Sequence, residues 1–109
     1  MISFEDFQKI TIQVGKILEA QKIEQSEKLL LLKVSFGDND MRQVVSGIAK
    51  YYKPTDIVNK KFIFVTNLEP REIFGYQSQA MILAASNTES TDISLLIPDK
   101  DFPEGSLIK

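Results

Sequence analysis

A chain of 109 residues with 43% hydrophobic and 26% charged side chains is sized for one domain around a single core, spanning the whole chain with its packed part at about 4–109. It has no cysteine and no histidine, which excludes a disulfide framework, a thiolate metal site and the commonest general base; catalysis would have to rest on carboxylates, lysines or tyrosines. The formal charge of −2 argues against a strongly basic nucleic-acid binder, yet the charge is uneven. Residues 1–53 hold eight Lys/Arg against seven Asp/Glu, and residues 54–109 hold five against eight. An anion-binding face would draw mainly on the first half, helped by Lys60, Lys61 and Arg71. No apolar run approaches the roughly 20 residues of a membrane span and the start does not read as a signal peptide, so the expectation is a cytoplasmic protein with no membrane partner.

Ser3 is placed to cap a helix of about one and a half turns in which Phe4 and Phe7 share a side and Asp6 favours the first turn. Ile10, Ile12 and Val14 then alternate with Thr11 and Gln13, the period of a strand. Past Gly15 the phase slips to Ile17 and Leu18, which predicts a bulge or bend at the glycine. Gln21 to Lys28 reads as a loop. Leu29 to Phe36 is a strand with Leu30, Leu32, Val34 and Phe36 on one face and Lys33 and Ser35 on the other. Gly37-Asp38-Asn39-Asp40 is a turn by composition, and its two acids are Asx-turn formers before they are metal ligands. Met41 to Ser46 completes a hairpin.

Gly47 to Val58 reads as irregular or short helical, with Thr55 a possible cap. Lys61 to Thr66 is an apolar strand whose Phe62 and Phe64 pack inward. A long polar connector follows, with Pro70 rigid and Gly75 permissive, and then the apolar run Met81 to Ala85, a further strand. Asn87 to Asp92 is a turn, Ile93 to Ile97 a strand, Pro98 to Gly105 a loop, and Leu107-Ile108 closes the chain. Short strands interrupted by a helix before the fourth predict an all-β, five-stranded Greek-key barrel of the oligonucleotide/oligosaccharide-binding (OB) type. Its short helices lie at the N-terminus and between strands 3 and 4, with extra strands at the C-terminus.

Several motifs in chain order sharpen this reading: Val14-Gly15-Lys16-Ile17, Lys28-Leu29-Leu30, Arg42-Gln43-Val44-Val45-Ser46-Gly47-Ile48, and Asn67-Leu68-x-Pro70-Arg71 followed by Gly75, Ser78, Met81 and Leu83-Ala84-Ala85. Together they resemble the tRNA-binding domain found at the carboxyl end of bacterial methionyl-tRNA synthetases and as a free-standing tRNA-binding protein. The resemblance implies shape- and backbone-directed tRNA binding with little sequence reading, no catalysis by the domain itself, no cofactor, homodimerisation, and tethering to a synthetase catalytic body. Carried onto matching positions, it implies contacts from Lys16, Lys28, Arg42, Ser46, Asn67, Arg71, Ser78 and Met81. Lys33, outward on its strand, joins them.

The basic residues would neutralise phosphates while Asn67, Ser46 and Ser78 hydrogen-bond sugars or bases. Tyr51, Tyr52, Phe74 and Tyr76 offer planes to an unpaired base. Other roles compete at several positions: Asn67, Gly75 and Ser78 can fix the loop itself, and Met81, opening an apolar strand, suits the core better than a contact.

The chain departs from the family pattern at Gln13, where an Arg is common, at Ala80, where a Gly is usual, and at Glu69, Glu72 and Phe74, where basic residues are frequent. Two glutamates beside Arg71 predict weak affinity for the isolated domain, raised by tethering and dimerisation. The rival readings are a protein-interaction or dimerisation module with an apolar patch of Phe74, Tyr76, Leu107 and Ile108, and an export-associated, chaperone-like OB protein that binds unfolded peptides.

Overall fold

The computed structural model describes residues 1–109. Ser3 opens α1 (Phe4–Gln8), its hydroxyl accepting the Asp6 N–H at 3.1 Å with Glu5 and Asp6 in the first turn. α1 buries none of its residues, and Phe4 and Phe7 stay exposed.

The sheet is built around β1 (Ile12–Lys22), an eleven-residue strand that serves two partners. Its first half pairs antiparallel with β4 (Lys61–Val65), and its second half pairs antiparallel with β2 (Leu30–Ser35). Leu18 is the residue left over where the register shifts between Ile17 and Glu19, so the bend falls three residues beyond the glycine expected to make it. Gly15 has a different task. A Cβ there would stand 2.6 Å from the Phe36 ring and 2.8 Å from Phe64 and Val34. The glycine makes room for the edge-to-face Phe36–Phe64 pair, whose centroids are 5.3 Å apart in the core.

β2 and β3 (Met41–Ser46) form the expected hairpin, with Leu30, Leu32 and Val34 buried and Lys33 outward. α2 (Pro54–Ile57) starts on Pro54, where no helical N–H is lost, and the Asp56 carboxylate accepts the Lys53 N–H at 2.9 Å. Lys53, not Thr55, holds the cap position, and α2 drives Ile57 into the core with no exposed surface.

After β4 the chain forms β5 (Arg71–Ile73), β6 (Tyr76–Ser78), β7 (Met81–Ile82), β8 (Ala84–Ser86) and β9 (Ile93–Leu95). The apolar run expected as one strand is therefore two, since β7 pairs with β4 and β8 pairs with β9. The principal sheet runs β3-β2-β1-β4-β7, all antiparallel. It curls until β3 meets the β6–β7 segment, giving a nearly closed all-β barrel of OB type with α2 ahead of β4. Where β2 leaves β1, the C-terminal tail takes its place: Val14 N–H donates to Ser106 O at 2.9 Å, Ile108 N–H to Ile12 O at 2.8 Å, and Leu107 bridges to Gln13. No helix is long and apolar enough to cross a membrane.

Gly15→Ala should lower stability by about 1–3 kcal/mol, because Phe36 or Phe64 must leave its rotamer. A reduced denaturant midpoint at unchanged slope is the expected readout.

Candidate nucleic-acid interface

The stretch from Asn67 to Ser78 is not an open loop. Phe74 and Gly75 both have positive φ (53° and 86°), the signature of a two-residue primed turn, and they fold Arg71–Ile73 back on Tyr76–Ser78. Cross-strand partners share a face, so Arg71 with Ser78 and Ile73 with Tyr76 look one way while Glu72 with Gln77 look the other. The first face turns toward β3. Between them lies a groove of about 650 Å³ lined by Ser46, Leu68, Arg71, Ile73, Ser78 and Met81, among others. The structure thus brings Ser46, Arg71, Ser78 and Met81 together. Met81 is 47% exposed, with Ile82 taking the buried position beside it, so the core reading of Met81 fails. Alternation also turns Glu72 away from Arg71, leaving Glu69 as the one glutamate that lines the groove.

Three of the candidates are engaged in holding this wall in place. The buried Ser78 hydroxyl accepts the Val45 N–H at 3.0 Å and lies 3.2 Å from the Ala80 carbonyl, to which it can donate. Arg42 forks onto Asp40 at 3.0 and 3.2 Å, lies over the Phe36 ring at 5.3 Å and donates to the Thr66 carbonyl. Asn67 accepts the Thr11 N–H at 2.7 Å and donates to the Lys9 carbonyl at 2.6 Å, tying the end of β4 to the α1–β1 junction. Sequence reading missed Gln43 and Gln79. The Gln79 N–H donates to Gln43 O at 2.8 Å, and the Gln43 N–H donates to the Gln79 side chain at 2.9 Å. No local pattern marks such a pair, because it forms across 36 residues. Gln13, which replaces the family's common Arg, bonds Thr66 and Gly105 instead of facing a ligand.

The remaining cations are spread out. Arg71 and Lys28 are exposed and make no ion pair, and the Lys28 carbonyl accepts the Ala49 N–H, near the Ser46–Gly47 wall of the groove. Lys33 pairs loosely with Glu19 at 3.5 Å and lines, with Arg42, a second groove of about 380 Å³. Lys16 faces neither groove. It joins Lys60, Lys61 and Lys100 in a third, of about 530 Å³, against Asp99 and Asp101. There Lys61 donates to Asp101 at 2.8 Å; that hydrogen bond and the Lys61 charge hold the Asp101 carboxyl below its ordinary range, with Lys16 adding a smaller pull. The Tyr51 and Tyr52 hydroxyls bond the 90–95 segment, Tyr51 donating to Ser90 O at 3.0 Å and Tyr52 accepting the Leu95 N–H at 3.1 Å. The apolar patch expected to unite Phe74, Tyr76, Leu107 and Ile108 is divided: Leu107 and Ile108 line a groove with Phe4, Phe7 and Ile10, whereas Phe74 and Tyr76 ride on the β5–β6 hairpin.

A five-stranded barrel with a mixed polar and apolar groove, carrying Arg71 and Glu69, beside the loop between its last two strands defines an OB-type binding module. The family described as "Putative tRNA binding domain" matches residues 12–107. The methionine–tRNA ligase of Caldanaerobacter subterraneus subsp. tengcongensis is 47% identical over 107 residues, covering 98% of this chain and 16% of that enzyme. A crystal structure of a MetRS-related protein from Pyrococcus horikoshii superposes with a TM-score of 0.93 at 34% identity, covering 100% of this chain and 98% of the other. That of chaperone CsaA from Bacillus anthracis superposes with a TM-score of 0.89 at 28% identity, covering 100% and 99%. The chain belongs to this tRNA-binding domain family, and it spans about a sixth of the length of the ligases it matches.

Ser78→Ala leaves the buried Val45 N–H without its acceptor and should lower stability by about 1–3 kcal/mol, whereas Asn67→Ala, whose bonds are exposed, should cost about 0.5–1.5 kcal/mol. Arg71→Ala, exposed and unpaired, should stay within about 0.5 kcal/mol of the parent in the same denaturant titrations. The depressed Asp101 carboxyl implies a contribution present above its unfolded pKa and lost as pH falls through its folded one. Lys61→Met should return the Asp101 titration, followed by NMR, to the ordinary carboxylate range.

Proposed function

We propose that this chain is a non-catalytic module that binds tRNA through backbone and shape rather than sequence. It would act in the cytoplasm as the carboxyl-terminal appendage of a methionyl-tRNA synthetase or as a stand-alone homologue. The convergence of Ser46, Arg71, Ser78 and Met81 on one groove carries this reading, in a chain whose family is a tRNA-binding one. Arg71 and Ser46 make the direct contacts in that groove, and Met81 gives it an apolar floor. Lys28 neutralises phosphate near the Ser46–Gly47 wall, Lys33 adds a contact in the second groove, and Lys16 adds a separate contact on a neighbouring face. Arg42, Asn67 and Ser78 act chiefly by holding the walls. With few free cations the affinity of one copy is modest, and pairing of two copies raises it through effective concentration.

The groove beside α1 suits that pairing. Phe4, Ile10 and Leu107 are exposed there at 72%, 44% and 59%, and the tail hydrogen-bonded to β1 has an outer edge open to a second copy.

Filter binding with unfractionated tRNA at low salt should give half-saturation in the micromolar range, with affinity falling steeply as salt rises. No retention at tens of micromolar protein overturns the reading. Arg71→Gln should weaken binding and reduce the magnitude of the salt slope by about one.

Light scattering should give a mass twice the 12.4 kDa chain, returning to one chain in Leu107→Asp. The likeness to CsaA supports a second reading, capture of unfolded polypeptide in the same apolar groove. Retention of a reduced, unfolded protein in place of tRNA in the same titration would select it.

A further inference from the structure

The tip of the β5–β6 hairpin holds a conflict that the fold itself does not explain. Five non-glycine residues have positive φ, and four of them are Asp38, Asn39, Asn59 and Ser90, short polar side chains that suit turns. The fifth is Phe74, at φ 53°. A bulky aromatic residue is disfavoured in this conformation, and Asn or Gly is the usual occupant of the first position of such a turn. Burial of the ring does not compensate: Phe74 is 53% exposed and belongs neither to the core cluster nor to the Phe36–Phe64 pair. Its place is specific, however. It stands between Ile73, which lines the groove with Arg71 and Ser46, and the 38%-exposed Tyr76 on the same hairpin face.

We propose that Phe74 is a base-stacking residue, held rigidly at the hairpin tip so that its ring meets an unpaired base of the RNA whose backbone lies in the adjoining groove. This rests on the tRNA-binding reading and adds to it a contact made by neither charge nor hydrogen bond. The primed turn fixes the direction of the Phe74 Cα–Cβ bond, and a Phe side chain has only its χ1 and χ2 rotations to order on binding. A flat, exposed aromatic plane suits an unpaired base and has nothing to read in a paired stem. The groove beside it offers one exposed cation, Arg71, to the RNA backbone, against the single carboxylate of Glu69. Phe74 thus supplies affinity that does not depend on the charge which Glu69 opposes.

The stacking role and a merely structural one move stability and binding in opposite ways. Phe74→Asn relieves the backbone conflict, so the melting temperature should rise by roughly 5 °C. Its tRNA affinity should nevertheless fall roughly 5- to 100-fold. Because no phosphate contact is lost, the salt slope should stay that of the parent, unlike Arg71→Gln. Phe74→Trp should keep the affinity. If the parent binds tRNA and Phe74→Asn binds within twofold, the proposal is overturned. It is equally overturned if Phe74→Asn melts lower, which would make the ring a packing residue, or if tRNA affinity is kept while the dimer dissociates, which would make it a protein contact. A parent that retains no tRNA removes the tRNA-binding reading itself and this inference with it.

Discussion

The barrel depends on a seam that has no ladder. Its principal sheet ends in β3 on one side and β7 on the other, and each edge would leave backbone N–H and C=O groups unpaired. Side chains and one backbone bond, from the Gln79 N–H to Gln43 O, bridge the seam. The Ser78 hydroxyl takes the Val45 N–H, Gln43 and Gln79 exchange bonds, the Gln43 amide reaches the Gln77 carbonyl, and Arg42 crosses to Thr66. A continuous ladder would bring β6 to strand spacing from β3 and close the space between them. The side-chain seam holds the hairpin at a stand-off, and the groove carrying Ser46, Arg71 and Met81 is that stand-off. Closure of the fold and the opening of the site are one arrangement.

This explains why the conspicuous polar residues of the chain divide in two. Asn67, Ser78 and Arg42 have protein partners at hydrogen-bond distance, so these bonds are made before any ligand arrives. Arg71 and Lys28 have none, and their charges face solvent. A negative overall charge then says little about the groove, because the local field is set by which side chains share a face. Strand alternation removes Glu72 from Arg71 although the two are adjacent in sequence. On the far side of β1, the Lys61–Asp101 pair offsets part of the positive charge that Lys16, Lys60 and Lys100 gather.

Much of the fold was legible because its core strands obey a strict alternation: Leu30, Leu32 and Val34 bury while Lys33 does not, and the Ser3 cap follows from local chemistry. The sequence misleads where one local signal serves two purposes. A glycine at a phase slip fits both a bulge and a close packing contact, and only the non-local positions of Phe36 and Phe64 decide for packing at Gly15. The β5–β6 hairpin was hidden because each strand has three residues and its turn carries Phe where Asn or Gly is usual. Met81 looked like core because apolar runs suggest burial on both faces, whereas β7 buries only Ile82. The Gln43–Gln79 exchange, and the gathering of Lys60 and Lys100 beside Lys16, join residues that are distant in sequence and carry no periodic mark.

The anomaly at Phe74 gains its meaning from this consistency elsewhere. Local preference, alternation, capping and polar satisfaction agree along most of the chain, and no buried side-chain polar atom lacks a partner. A bulky residue in a left-handed turn is tolerated because the hairpin beneath it is over-determined: Ser78 is locked to β3, Arg71 pairs across from it, and Gly75 absorbs the second positive φ. Without that anchorage a three-residue hairpin would relax its turn, and the ring would swing through many orientations. The seam that keeps the groove open therefore also makes a strained tip sustainable, and the least comfortable residue of the chain directly follows Ile73 of the groove wall.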